Sequence, residues 1–250
     1  MMGSKYRLFK IALLITVALI AIKYGLHLLE WELIVLGSLH SSAISGVIFV
    51  IGFLLSATIA DYKEAERIPA EASSILENIY EDVETMQVNY PKVDLKGYHT
   101  QLEKVARTFT ADLRNSKSHV ARIELRKLDE LNTQLETAGV PANFIVKLKQ
   151  QQAALLRHLF RVNYIQRITF MPSATILVWS IVSMATALLL FTEIEPFVGG
   201  MILTGVVSFI MFYVLLLIRV ISTPFHDEGK TKDDVSLFLL ERTIDHIKQK

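Results

Sequence analysis

The chain has 250 residues, no cysteine and a formal net charge of +1, which excludes a disulfide framework, a thiolate metal site and a cysteine nucleophile and says nothing about charged partners. Its 52% hydrophobic content and mean hydropathy of +0.39 exceed what a soluble core of this size needs, so the excess faces lipid. That excess is concentrated in two blocks, 8–60 and 172–221, and the stretch between them is as polar as an ordinary soluble helical domain.

In chain order, the first candidate span is 8–24, just long enough for a hydrocarbon core that needs about 20 helical residues. Lys10 and Lys23 are placed to snorkel to opposite headgroup layers. The continuation 26–36 carries His27, Glu30, Trp31 and Glu32, the composition of an interfacial extension that Gly37 ends. The second span is 43–60. From 61 to 171 the pattern predicts helices with punctuation: one continuing the second span to about residue 89 with a kink at Pro69 and a stop at Pro91, then 92–115 and 118–137. Gly139-Val140-Pro141 closes that pair, and a last helix starts near Pro141 and runs to an interruption at Met171-Pro172. In it Ile145, Leu148, Gln152, Leu155, Leu159 and Val162 keep the 3-4 spacing of a helix packed on helices, with Gln152 read as an edge position. The third span is 173–192 and the fourth 197–221, with Glu193-Ile194-Glu195-Pro196 as the turn between them. In the tail, 223–250, Val235, Leu237, Phe238, Leu240 and Ile244 form an amphipathic run with too much apolar surface to stay solvated, so it is expected to dock as a helix.

The expected organisation is therefore all-α and integral to the membrane: spans paired in 1–60 and 172–222, a helical domain at 61–171 and a tail at 223–250. Lys5, Arg7 and Lys10 lie at the start of the first span, sixteen Lys and Arg lie in 63–167, and Arg219, Lys230 and Lys232 lie at and after the end of the fourth, whereas the short hairpins carry Glu30, Glu32, Glu193 and Glu195. The positive-inside rule then places both termini and the helical domain in the cytoplasm, in a multi-pass protein of the inner (plasma) membrane. A cleaved signal peptide is the competing reading of the basic start, and no small-x-small site follows Ile22 to support it.

The second span carries the functional signal. Ser38, Ser42, Ser45, Phe49, Phe53, Ser56 and Ala60 recur every three or four residues and share one narrow face. Gly46 and Gly52 flank it and permit close helix approach. Serines around an axis would line a wet vestibule and two phenylalanine rings a hydrophobic constriction. Small packing residues and aromatic filler are the other reading of the same face. His27 and His40 lack companion ligands at metal spacing, and Glu77, Glu81 and Glu84 read as a solvated helix face. There is no phosphate loop, nucleophile elbow or HExxH, and no aromatic-interleaved basic patch, so no enzyme, cofactor, metal or nucleic-acid role is expected.

Two segments resemble the bestrophin family. SGVIFVIGFLLSATIADYKEAERIP, 45–69, resembles its second span and neck, with Phe49, Gly52 and Phe53 on the Phe-x-x-Gly-Phe element and Pro69 close to the proline that follows. TPFHDEGKTKDDVSLFLLERTIDHI, 223–247, resembles the stretch after its last span through Pro224, Phe225, Asp233, Asp234, Leu237 and Leu240. The Arg-Trp-Trp-type signature below the neck is replaced by Ala60-Asp61-Tyr62-Lys63, His226 stands where glycine usually follows Pro-Phe, and Gly229, Lys230 and Lys232 dilute the acidic run, so an animal-type calcium clasp is not carried over. The resemblance implies a homo-oligomer, a pentamer, passing small inorganic ions through a central pore. Phe49 and Phe53 would be its constriction, Ser42 and Ser45 its entrance, Ser56 and Ala60 the lining below, and Pro224, Phe225, Leu237 and Leu240 the docking residues of the tail. Lys63 and Arg67 would join the lining if the helix runs unbroken. The alternative is a non-conducting membrane scaffold or sensor whose cytoplasmic helices bind a partner.

Overall fold

The computed structural model describes residues 6–35, 37–92, 94–115, 120–167, 172–225 and 234–248. They form α1 (Arg7–Leu28), β1 (Ile34–Val35), α2 (Ser38–Asn89), α3 (Leu95–Arg114), α4 (Val120–Thr137), α5 (Ala142–Arg167), α6 (Pro172–Phe191), β2 (Thr192–Glu193), α7 (Phe197–Ile221) and α8 (Phe238–Lys248). The fold is helical, and its two strands are one short parallel pairing of Ile34 with Thr192 and Val35 with Glu193. Four helices, α1, α2, α6 and α7, are long and apolar enough to cross a membrane.

Residues divide into two compact units. The first holds α1, α2 up to Tyr62, α6 and α7. Its core joins Ile51 of α2 to Val178, Val182 and Ala185 of α6 and to Met211, Leu215 and Ile218 of α7. α1 packs on α7 beside Gly205, where a Cβ would stand 2.9 Å from Ile20 Cδ1, and Phe9 meets Phe209 edge to face with centroids 5.5 Å apart. The opposite surfaces of these helices leave Leu14, Val17, Ile176, Met184, Val198 and Ile202 exposed, a girdle that only lipid or another chain can cover without loss of the hydrophobic driving force.

The second unit, which begins at Lys63, is a bundle built on the 3-4 spacing of its helices. Ile68, Ala72, Leu76, Ile79, Val83 and Met86 of α2 meet Tyr98, Leu102, Val105, Phe109 and Leu113 of α3. Leu125 and Leu128 of α4, Leu148, Leu155, Leu159 and Val162 of α5, and Leu240, Ile244 and Ile247 of α8 complete the same core. Asp94 caps α3 by accepting from Gly97 N at 2.9 Å. Gly139, at φ +92°, makes the left-handed turn between α4 and α5. Tyr80 lies buried against this core, and burial, reinforced by its hydrogen bond to Glu84, pushes its phenol up to about 12.

The helix that continues the second span keeps its expected run through Pro69 to Asn89. Several other sequence expectations change. The interfacial segment 26–36 is not one helical extension ended by Gly37: α1 stops at Leu28, Glu30 takes a left-handed φ of 57°, and Ile34 and Val35 pair with β2. Gln152 is more than an edge. Its amide donates to Leu125 O at 2.9 Å and accepts from Asn132 at 3.2 Å, and Asn132 in turn accepts from the Tyr98 hydroxyl at 3.0 Å. Phe238, counted in the apolar run of the tail, is exposed. The interruption at Met171 lies outside the described residues.

Candidate pore-lining face

A helix that packs on one side only must leave the other side to something else, and α2 does so sharply. Ile51 is 3% exposed in the core of the first unit, whereas Phe49 and Phe53, on the opposite face, are 74% and 67% exposed. Ser42, Ser45, Ser56 and Ala60 are exposed on that same face, and the Ser42 hydroxyl turns back to donate to Ser38 O at 3.0 Å. Gly46 and Gly52 are exposed as well, and a Cβ added at either would meet nothing within 4 Å. Among the described residues, therefore, no other helix approaches closely at either glycine. Val47, Leu54 and Leu55 pack against the core, Thr58 is buried, and its hydroxyl bonds to Leu54 O. Further along α2, in the second unit, Lys63 and Arg67 are exposed, the latter paired with Glu71 at 3.0 Å.

The tail residues stand together in the second unit. Pro224 is buried and its carbonyl accepts from Val235 N at 3.0 Å, Phe225 and Leu237 pack half-buried on the core, and Leu240 is fully inside it. Arg114 of α3 pairs with Glu241 at 2.5 Å, and His246 with Glu77 of α2 at 2.7 Å.

Sequence reasoning missed a charged cluster in the first unit. Lys23, expected to snorkel, is 1% exposed, and its ammonium pairs with Glu32 while donating to Leu190 O at 3.2 Å and to Thr192 O. Glu32 also takes His27 Nδ1 at 2.7 Å, and the imidazole stacks on Phe197 with centroids 3.7 Å apart. Burial pushes the Glu32 carboxyl up, but Lys23 and His27 outweigh it and hold it below the usual carboxylate range. The only sequence signal was a lysine and a glutamate within one apolar block; their meeting depends on the β1–β2 pairing, which no periodicity announces. A groove of 470 Å³ lined by His27, Glu32, Glu193 and Glu195 opens beside the cluster. Among the described residues no three His, Asp or Glu side chains are placed to hold a metal ion.

No protein-family profile matches the chain, and no curated protein does. Solved structures do. A variant of a bacterial bestrophin homologue from Klebsiella pneumoniae superposes at a TM-score of 0.82 with 13% identity, covering 96% of this chain and 97% of that one. Another structure of that homologue gives 0.80 at 14% identity and 96% of both chains, and a structure described as a membrane protein gives 0.80 at 13% identity, covering 97% and 99%. At such identity the likeness is one of fold, and it runs nearly end to end: the chain is a membrane protein with a bestrophin-like fold.

Proposed function

We propose that the chain is a bestrophin-like ion channel, in which α2 helices of several copies, five by the resemblance, surround a pore for the passive movement of small inorganic ions. The observation that carries this reading is the asymmetry of α2: its aliphatic back is buried in its own subunit, and its serine and phenylalanine front is left without a covering surface. Lipid is a poor occupant for Ser45 and Ser56, whose hydroxyls lose water there without gaining partners. Symmetry mates around an axis satisfy both halves of the face. The serines stay wet, and the rings of Phe49 and Phe53 form a narrow dry section that an ion crosses only by shedding water. Gly46 and Gly52, open in the single chain, then allow neighbouring α2 helices to approach closely. The excess of Lys and Arg outside the short hairpins supports a topology with both termini and the second unit in the cytoplasm and the protein in the inner membrane.

Reconstitution into planar bilayers tests the proposal. Unitary currents whose reversal potential shifts under asymmetric salt support it, and the sign of the shift gives the selectivity that acidic outer hairpins and family likeness predict oppositely. Absence of current from purified, correctly oligomeric protein would favour the scaffold reading.

A further inference from the structure

Contrary to the sequence expectation, α4 and α5 of the second unit assemble an aromatic-interleaved basic patch. Arg122, Ile123 and Arg126 share one side of α4, and Arg157, Phe160, Arg161 and Tyr164 recur every three or four residues along α5. The two helices meet there. The Arg122 guanidinium stands 5.4 Å from the centroid of the Phe160 ring, and that of Arg161 stands 5.1 Å from the Tyr164 centroid. Ile123, Phe160 and Tyr164 are each more than half exposed, at 58%, 51% and 52%. Arg161 is held by both carboxylate oxygens of Glu64, whereas Arg122, Arg126 and Arg157 enter no ion pair among the described residues. Uncovered apolar surface therefore lies beside three guanidinium groups that no carboxylate balances.

Chain connectivity alone keeps this surface near lipid. Glu64, the partner of Arg161, follows Ala60, the last residue of the second apolar run, by four residues, a reach of at most about 14 Å. α5 ends at Arg167, and α6, long and apolar enough to cross a membrane, begins at Pro172, at most about 18 Å away along an extended chain. A headgroup layer is about 5 to 7 Å thick, and the field of an anionic surface extends about 10 Å beyond it at 0.1 M salt.

We propose that this patch binds anionic phospholipids of the leaflet on the side of the second unit. Guanidinium groups alone suit any phosphate, with which they form paired charge-assisted hydrogen bonds. The exposed apolar surface between them and the short tethers to two spans favour a phospholipid. Arg122, Arg126 and Arg157 then take headgroup phosphates, Ile123 and Phe160 meet the acyl boundary, and Tyr164 brings the apolar ring and polar tip of an interfacial side chain. Such binding requires the membrane spans but not conduction.

The chain has no cysteine, so one bimane label can be placed by Ile123→Cys or, as a control, by Val146→Cys, exposed near the other end of α5. The full labelled chain is reconstituted in phosphatidylcholine vesicles. Quenching is compared for phosphatidylglycerol and phosphatidylcholine carrying the same nitroxide near the headgroup end of one acyl chain. The label at Ile123→Cys should be quenched more strongly by phosphatidylglycerol, and the label at Val146→Cys by neither lipid. Adding Arg122→Gln should lower that preference about fivefold, the factor set by one basic side chain at an anionic surface, and Arg122→Gln/Arg126→Gln/Arg157→Gln should remove it. The three arginines are not buried in the core, so their variants keep the fold. Equal quenching by the two lipids, an equal preference at Val146→Cys, or a preference that survives the triple variant would overturn the proposal. A label at Ile123→Cys quenched by neither lipid would overturn it too: if aqueous iodide reaches it the patch faces water, and if not a second copy of the chain covers it.

Discussion

Replacing Lys23 by methionine keeps the volume and stem of the side chain and removes only the charge. In the folded chain the ammonium is almost wholly buried, paired with a Glu32 side chain that is 7% exposed, and donates to the carbonyls of Leu190 and Thr192. Lys23→Met therefore strands a buried carboxylate whose one remaining polar partner is His27. Breaking a buried pair from one side costs about 3 to 5 kcal/mol. Removing both charges in Lys23→Met/Glu32→Leu leaves no stranded ion. The remaining loss is the two carbonyls without a donor, about 1 to 3 kcal/mol each, a loss that Lys23→Met alone carries as well. The double variant should thus be more stable than Lys23→Met alone, and reversible unfolding in mixed micelles, run as a double-mutant cycle, measures the difference. If Lys23→Met costs less than about 1 kcal/mol and the double variant costs no less than the single, the ammonium snorkels to the headgroups after all and the cluster is not formed.

Leu240, fully buried where α8 meets the core of the second unit, should lose about 2 to 5 kcal/mol on truncation to alanine, whereas exposed Phe238→Ser should stay within about 0.5 kcal/mol, both read from chemical unfolding. His158 is held below the ordinary histidine value first by burial, with Arg157 adding to it and Glu71 at 3.7 Å opposing it. Its contribution to stability is therefore present above about pH 6.5 and lost as pH falls through the folded value; the melting temperature of wild type should fall faster than that of His158→Gln on acidification below that point, and parallel curves would remove His158 as the cause. Cysteines introduced at Ser118 and Lys250 should react with an impermeant maleimide only from the cytoplasmic side, and those at Glu30 and Glu193 only from outside. Labelling at Glu193 from the cytoplasm alone would invert the topology.

The long, uniform elements were legible in the sequence because a single physical rule governs each. α7 spans 197–221, the interval read from its apolar run after Pro196. The seam of α5 is buried at each aliphatic position read from the 3-4 spacing. The α2 face was visible for the same reason: period fixes which residues share a side, although not what covers them. Features made by contacts distant in sequence were not legible. Lys23 meets carbonyls 167 and 169 residues away, and Gln152 bridges α4 and α5 through partners that no window around it contains.

The single-channel conductance of Phe49→Ala/Phe53→Ala tests the neck most directly. Both rings project from the subunit with most of their surface uncovered, so their loss should cost the chain's own fold little, about 0.5 kcal/mol or less, unlike Ile51→Ala at about 2 to 5 kcal/mol. The double variant is expected to assemble as wild type does and to show a larger conductance or open probability, because the dry section through which ions pass has been widened and wetted. A double variant that assembles normally yet passes no more current than wild type, in membranes where wild-type currents are measurable, would take Phe49 and Phe53 out of the conduction path.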